Sequence, residues 1–375
     1  MLRAAIALAW LAIGASCHPT GNKALPRGQS ATALAVGAAH ACVRVVDGTL
    51  RCFGDDSAGQ LGDGAPDGAP DGEEDAGAGE DGGATAEAGS GTPESPFAAP
   101  RRVAGLNAIA EVTAGGAHTC ARLEDATVRC WGGNDWGQLG DATTTSRPTP
   151  VILPGLRNAR GLSAGGAHTC AITSDKGVMC WGRNDSGQLG DGTSTSRSSP
   201  VRVSGVTDVE QIAAGTFHTC ARVKDGTVLC WGRNDAGQIG DGTTGTQRNV
   251  PTRAIDASPA AAIVTGLADS CAAMPDQSVR CWGKAAKRAS AVPVIGLTRV
   301  TAISLGTSPT ELQLCARIAD GSIRCTDDFT KTPALVPGIV NAAQIAGGAS
   351  FSCALLTDGA LRCWTPRAEP FPVIP

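Results

Sequence analysis

Short apolar runs alternate with turn residues along the chain, and nowhere do they follow the spacing of a helix. Residues 161–203 show the pattern most fully. Four runs, Gly161–Ala164, His168–Ile172, Val178–Trp181 and Pro200–Val203, are joined by stretches rich in Gly, Asn, Asp, Ser and Thr. Each run has strand length. Further on, ARVKDGTVL (221–229) places β-branched and apolar residues on both sides of Asp-Gly, which predicts a β-hairpin.

The hairpin recurs, and cysteines mark it. Apart from Cys17, every cysteine belongs to a pair with an Asp at its centre: Asp47, Asp125, Asp175, Asp225, Asp276, Asp320 and Asp358. Antiparallel pairing about that Asp sets the two cysteines opposite each other, ~4.5–5.5 Å apart at Cα, within the ~4.4–6.8 Å that a disulfide spans. The expected bridges are Cys42–Cys52, Cys120–Cys130, Cys170–Cys180, Cys220–Cys230, Cys271–Cys281, Cys315–Cys325 and Cys353–Cys363. A metal is the rival reading, since His218 and Cys220 share a strand face. It fails because Asp269, Gln313 and Phe351 replace that His in the last three units, while the cysteines persist. The spacing also differs from that of zinc sites. No metal and no cofactor is expected.

In the middle of the chain the units recur about every 50 residues, and four short strands per unit repeated around a ring is the pattern of a β-propeller. The expected fold is all-β: a seven-bladed β-propeller, each blade stapled by a hairpin disulfide.

Composition changes the picture at two places. Arg3 precedes the apolar run AAIALAWLAIGAS, then Cys17. Residues 1–17 read as a secretory signal peptide. Ala15 and Ser16 before Cys17 make it a candidate lipoprotein signal, with Cys17 the site of lipidation. Residues 18–32 read as a flexible tether and 33–375 as the propeller. Within it, 64–100 is rich in acidic residues and has no Lys or Arg; it reads as an acidic disordered loop inserted in blade one. Its Asp-Gly spacing fits neither an EF-hand nor the glycine-rich nonapeptide repeat that binds calcium. No stretch after residue 17 is apolar enough to span a membrane. The cysteine pairs agree with an exported protein, in the periplasm, outside the cell or on the outer membrane as a lipoprotein. The net charge of −4 becomes mildly positive without the insertion, which is not the strongly basic footprint of a nucleic-acid binder.

Units two to four carry GGAHTC with WGGNDWGQLG, GGAHTC with WGRNDSGQLG, and Ile212, Ala213, Ala214, Gly215, His218 and Thr219 followed by Trp231, Gly232, Asn234 and GQIG at 237–240. This pattern resembles the regulator-of-chromosome-condensation repeat family, over about residues 33–375. The resemblance implies a seven-bladed propeller. The cysteines make the chain similar to the exported bacterial branch, whose secreted members include inhibitors that bind β-lactamases. Units five and six lack the Gly-Gln-Leu-Gly loop, Thr326 replaces Trp in unit six, and Phe53 replaces it in unit one. The nuclear member's guanine-nucleotide exchange belongs to particular loops and a partner GTPase, so the resemblance does not carry it over.

No catalytic residue is expected. His40, His118, His168 and His218 occupy one repeat position in separate blades, as do the turn Asp residues, so neither set can converge on one substrate. No nucleophile-elbow, zincin or phosphate-loop motif occurs. The recurring Asn-Asp pairs read first as turn caps; Asn184, Asp185, Asn234 and Asp235 are kept as candidate contact residues. Trp136 joins them, because Ser186 and Ala236 hold its position in the next units, so packing requires no aromatic there. The expected function is a non-enzymatic protein-interaction scaffold, an inhibitor or receptor-like binder, in the bacterial envelope. Its partner would be an envelope or extracellular protein, with no nucleic acid and a membrane only through Cys17. A carbohydrate- or cell-wall-binding propeller is the alternative; nucleotide exchange and a channel-sited hydrolase or lyase rank below both.

Overall fold

The computed structural model describes residues 30–64, 99–306 and 313–365, with the backbone of 371–373. The expected signal peptide, Cys17 and nearly all of the tether lie outside these residues, as does most of the acidic insertion. The described strands form seven antiparallel four-stranded sheets, each built from consecutive strands, over 31–102, 109–152, 161–202, 209–253, 262–293, 300–335 and 342–373. No helix occurs among the described residues. The molecule is a seven-bladed β-propeller. Its first strand, Ala31–Val36, takes in the last two residues assigned to the tether.

The hairpin at the heart of each blade follows from local chemistry. In blade four the Val223 N–H donates to Thr227 O and the Gly226 N–H to Val223 O. This is a three-residue loop whose last residue must be left-handed. Gly226 has φ 83°. The Asp225 carboxylate accepts the Thr227 N–H at 2.8 Å, which fixes the turn and explains the Asp in every unit. Ala126, Lys176 and Gln277 take the glycine position in blades two, three and five at φ 63°, 59° and 64°. Substituting each by Gly is expected to raise stability by about 1 kcal/mol, since a side chain in that region is strained by roughly that amount or more. Urea midpoints of the three single variants check it; unchanged or lower midpoints would refute it.

With the turn fixed, Cys220 faces Cys230. All seven bridges form, with Cα separations of 4.0–4.1 Å. That is slightly closer than the sequence-based range and nearest the tighter, non-hydrogen-bonded class of facing pairs. Each bridge packs into a core that spans two blades. Cys170 and Cys180 of blade three, for example, cluster with Leu189, Val203, Ala221 and Trp231.

Blade three follows the expected strands at Gly161–Ala164, His168–Ile172 and Val178–Gly182. The outer strand is Arg197–Arg202, three residues earlier than the apolar run indicated. The cause is a bulge: Cys180 pairs with Val201, but Gly182 pairs with Arg197, so polar residues join the ladder. These outer strands carry Pro150, Pro200 and Pro251. A proline on an edge strand removes a donor and blocks pairing with another sheet.

Because the described strands of every blade are contiguous in sequence, none of them is exchanged at the junction of blades seven and one. That seam closes by side-chain packing and hydrogen bonds. Phe53 stacks on Phe351 with ring centroids 6.4 Å apart, within a cluster that includes Ala41, Val43, Leu355 and Leu361. The Ala349 N–H donates to Ala38 O at 3.1 Å across the same seam.

Candidate functional site

The recurring histidines join blades. His118 Nε2 lies 2.9 Å from Thr169 Oγ1 of the next blade, and Thr169 donates its one hydroxyl hydrogen to Gln138 O at 2.9 Å. Trp181 Nε1 donates to the same carbonyl at 2.8 Å. His118 must therefore donate from Nε2, leaving its buried Nδ1 without a hydrogen-bond partner among the described residues. The arrangement repeats for His40 with Thr119, His168 with Thr219, and His218 with Ser270. Burial pushes these imidazoles down, to about 4 for His40 and His218 and about 3 for His118 and His168, where neighbouring histidines add to the effect.

Most departures from the repeat come in pairs across an interface. Blades five and seven lack the loop carbonyl, and the blades that follow them carry Thr326 and Phe53 instead of Trp. Blade seven has Phe351 for His, and blade one answers with Ala41 for Thr. In blade six Gln313 replaces His and accepts from Ser352 at 2.7 Å. Trp364 follows a blade without the loop, and its buried Nε1 has no partner among the described residues.

At one end of the ring, called the mouth here, glycines bring neighbouring blades into backbone contact. A Cβ on Gly165 would lie 2.3 Å from Gly215 O and 2.4 Å from His168 Cε1. Equivalent contacts run from Gly37 to Gly115 and on through Gly165, Gly215, Gly266, Gly306 and Gly348, back to Gly37. The Ala38 and Gly116 N–H groups donate to Gly115 O and Gly165 O, each at 3.0 Å. Below the mouth a channel of about 370 Å³ is lined by Gly, Ala, Val, Ile, Leu, Ser, Thr and Gln211. None of its described lining residues titrates. Among the described residues no group of three His, Cys, Asp or Glu is placed to hold a metal.

The mouth face also carries a strip of aromatic and cationic side chains. The Arg183 guanidinium lies over the Trp136 ring at 4.6 Å and over Phe217 at 5.1 Å, and Arg233 lies over Phe217 at 5.3 Å. The strip crosses blades two, three and four. Arg183 Nε and Nη2 bond Asp185 Oδ2 at 2.9 and 2.5 Å, and Arg233 Nη2 bonds Asp235 Oδ2 at 2.5 Å. Burial raises these two carboxyls, but the arginine hydrogen bonds and charges outweigh it and hold both below the usual range. Trp136 is 41% exposed.

Of the residues singled out in the sequence, Trp136, Asp185 and Asp235 come together on this strip. Asn184 and Asn234 do not, which corrects their reading as contact residues. Both are buried. The Asn184 amide accepts the Leu189 N–H at 2.9 Å and donates to Thr193 O and Thr195 O; Asn234 accepts from Ile239 at 3.1 Å. Their side chains hold the loop that presents the strip. Arg183, Phe217 and Arg233 escaped the sequence reading, although the signal was there. Each differs from its counterpart in another unit: Gly133 against Arg183 and Arg233, Ala167 against Phe217.

A model of the Regulator of chromosome condensation (RCC1) repeat matches residues 125–172, 177–222 and 225–269. A second model of this repeat matches 31–60, 109–138, 160–188, 209–238 and 342–364. Together they cover more than half of the chain; the stretch they skip after residue 269 includes blade six, where interface residues depart most. No curated protein sequence matches the chain. Among solved structures, human WBSCR16 is similar at TM-score 0.67 and 19% identity, over 87% of this chain and 86% of that one. Prp20p from Saccharomyces cerevisiae, whose structure was described with its binding to Gsp1p and histones, has TM-score 0.67 and 17% identity, over 86% and 81%. The ectodomain of the Arabidopsis thaliana receptor kinase ACR4 has TM-score 0.56 and 19% identity, over 92% and 99%. At such identities the likeness is one of fold.

Proposed function

The chain belongs to the regulator of chromosome condensation (RCC1) repeat family, and from that premise we propose that it is a non-enzymatic scaffold of the bacterial envelope that holds a partner protein on its mouth face. The observation that carries this reading is the strip of Trp136, Arg183, Phe217 and Arg233. Trp and Arg dominate the energetics of protein interfaces, and here they stand on loops pinned by buried Asn and Gln side chains. A preordered surface loses little entropy on binding. The binding of Gsp1p and histones by Prp20p supports a binding role for the fold. Nucleotide exchange is not part of the proposal, because seven disulfides put this chain in an oxidising compartment.

Export through residues 1–17, with a lipid on Cys17, is the proposed route to that compartment. The apolar run before Cys17 supports it, and the mass of the N-terminal peptide tests it. The carbohydrate reading has less support: both rings of the strip already carry a guanidinium, which reduces the open aromatic face a sugar would stack on.

The test is affinity capture from envelope extract, comparing the full chain with Trp136→Ala. A protein held by the parent and weakened about tenfold or more by the variant is expected, a typical loss for an interface anchor. Equal capture by both forms, or binding confined to a glycan array, would refute the reading.

A further inference from the structure

The loop position three residues after the second cysteine of each blade is equivalent from blade one to blade five. Its backbone N–H donates to the mouth turn in every case: Asp55 to Ala39 O, Gly133 to Ala117 O, Arg183 to Ala167 O, Arg233 to Phe217 O and Lys284 to Ala268 O. That bond fixes the backbone and leaves the side chain free. Since Gly133 serves in blade two, the fold does not call for a charge there. Yet three adjacent blades place Arg183, Arg233 and Lys284 at this position, forming an arc of cations on one sector of the mouth face.

Blade five strengthens the arc. In blades two to four the loop Asp pairs with the arginine that opens the outer strand: Arg147 with Asp141, Arg197 with Asp191 and Arg248 with Asp241. Blade five has lost that loop, so Arg288, in the same place opposite Gly283, has lost its carboxylate. Lys284, Lys287 and Arg288 are all exposed, and none has an ion-pair partner among the described residues. The acid beside them, Asp269, is buried and accepts the Ala285 N–H at 2.7 Å. Arg183 and Arg233 are held by Asp185 and Asp235, but Arg183 keeps Nη1 and Arg233 keeps Nη1 and Nε for an incoming acceptor.

We propose that this arc, Arg183, Arg233, Lys284, Lys287 and Arg288 beside the rings of Trp136 and Phe217, receives an acidic segment of a partner protein. The inference rests on the scaffold reading and adds the chemistry of the partner. Arginine forks match carboxylates in pairs, the unpaired lysines attract negative charge at long range, and the rings give an apolar anchor at one end.

The test is a fluorescence-anisotropy titration of the full chain with a labelled glutamate-rich peptide ending in Phe. Binding that weakens with salt is expected. It should fall about tenfold or more in a Lys284→Gln, Lys287→Gln, Arg288→Gln variant, as for loss of several charge contacts. A Lys176→Gln, Lys224→Gln control, altered at the hairpin turns, should bind like the parent. Equal binding by the triple variant, or no binding by the parent, overturns the proposal. So does tight binding of heparin with none of the peptide, which would assign the arc to a polyanionic glycan. Since the chain has its own acidic stretch, the titration is repeated with residues 65–98 deleted. Binding in that form alone would assign the arc to the chain's own segment and also overturn the proposal. Envelope capture by the triple variant separates the two readings: a partner still held, and still lost with Trp136→Ala, leaves the scaffold standing without an acidic partner.

Discussion

Acidification from neutral pH to about pH 5 is expected to remove roughly 2 kcal/mol of stability for each of the four interblade histidines. Their folded pKa values, about 3 to 4, lie below the ordinary value of 6.5. The unfolded chain therefore binds more protons than the ring between those limits. The contribution is whole above about 6.5 and fades as pH falls towards 4, and further for His118 and His168. The cause is geometric. Nε2 already donates to the next blade, and a proton on the buried Nδ1 would meet no acceptor among the described residues. Asp269 works in the opposite direction. Burial raises it to about 6, so its proton uptake offsets about 1 kcal/mol by pH 5. The turn aspartates Asp47, Asp125, Asp225, Asp276 and Asp320, held low by their hydrogen bonds, act in a separate window below the usual carboxylate range. Urea unfolding at stepped pH measures the slope, and a fourfold His→Gln variant isolates its source. Gln313 shows that an amide can join blades at this position. A variant as acid-sensitive as the parent would sink the account.

The second large effect is steric. Gly165→Ala is expected to cost more than about 4 kcal/mol, at the far end of what single substitutions do. Its new methyl would meet Gly215 O at 2.3 Å and the His168 ring at 2.4 Å. Neither can yield cheaply: the carbonyl accepts the Gly166 N–H at 3.2 Å, and the ring is tied to Thr219. Gly161→Ala lies at the start of the strand that leads to Gly165, where the nearest atom, Ile172 Cδ1, is 3.3 Å away at the tip of a side chain. It should cost about 1 kcal/mol or less. Similar urea midpoints for the two variants would refute the close approach.

The sequence made the blade legible because a blade is local. Cysteines about a central Asp gave the hairpin, its register and the bridge. The outer strand was misplaced where a bulge brought Arg197 to Gly182, a shift that leaves no apolar signature. The interface was harder to see. His118 answers to Thr169, Trp181 to Gln138, and Phe351 to Ala41, so each matched set straddles two units, and comparing units one by one shows only scattered departures. Trp136 was picked out, but Arg183, Phe217 and Arg233 of the strip were missed for the complementary reason. Asn184 and Asn234 recur because the loop needs them, whereas Arg183 and Phe217 vary between units because the fold does not.

The seam has one more consequence. Blade seven meets blade one head to tail, by side-chain packing and a few hydrogen bonds with no shared strand, and a second molecule carries the same two surfaces. A ring sprung open at Phe351 and Phe53 therefore presents both ends of an open-ended polymer. Ring closure competes with that assembly through the high effective concentration of the chain's own first blade.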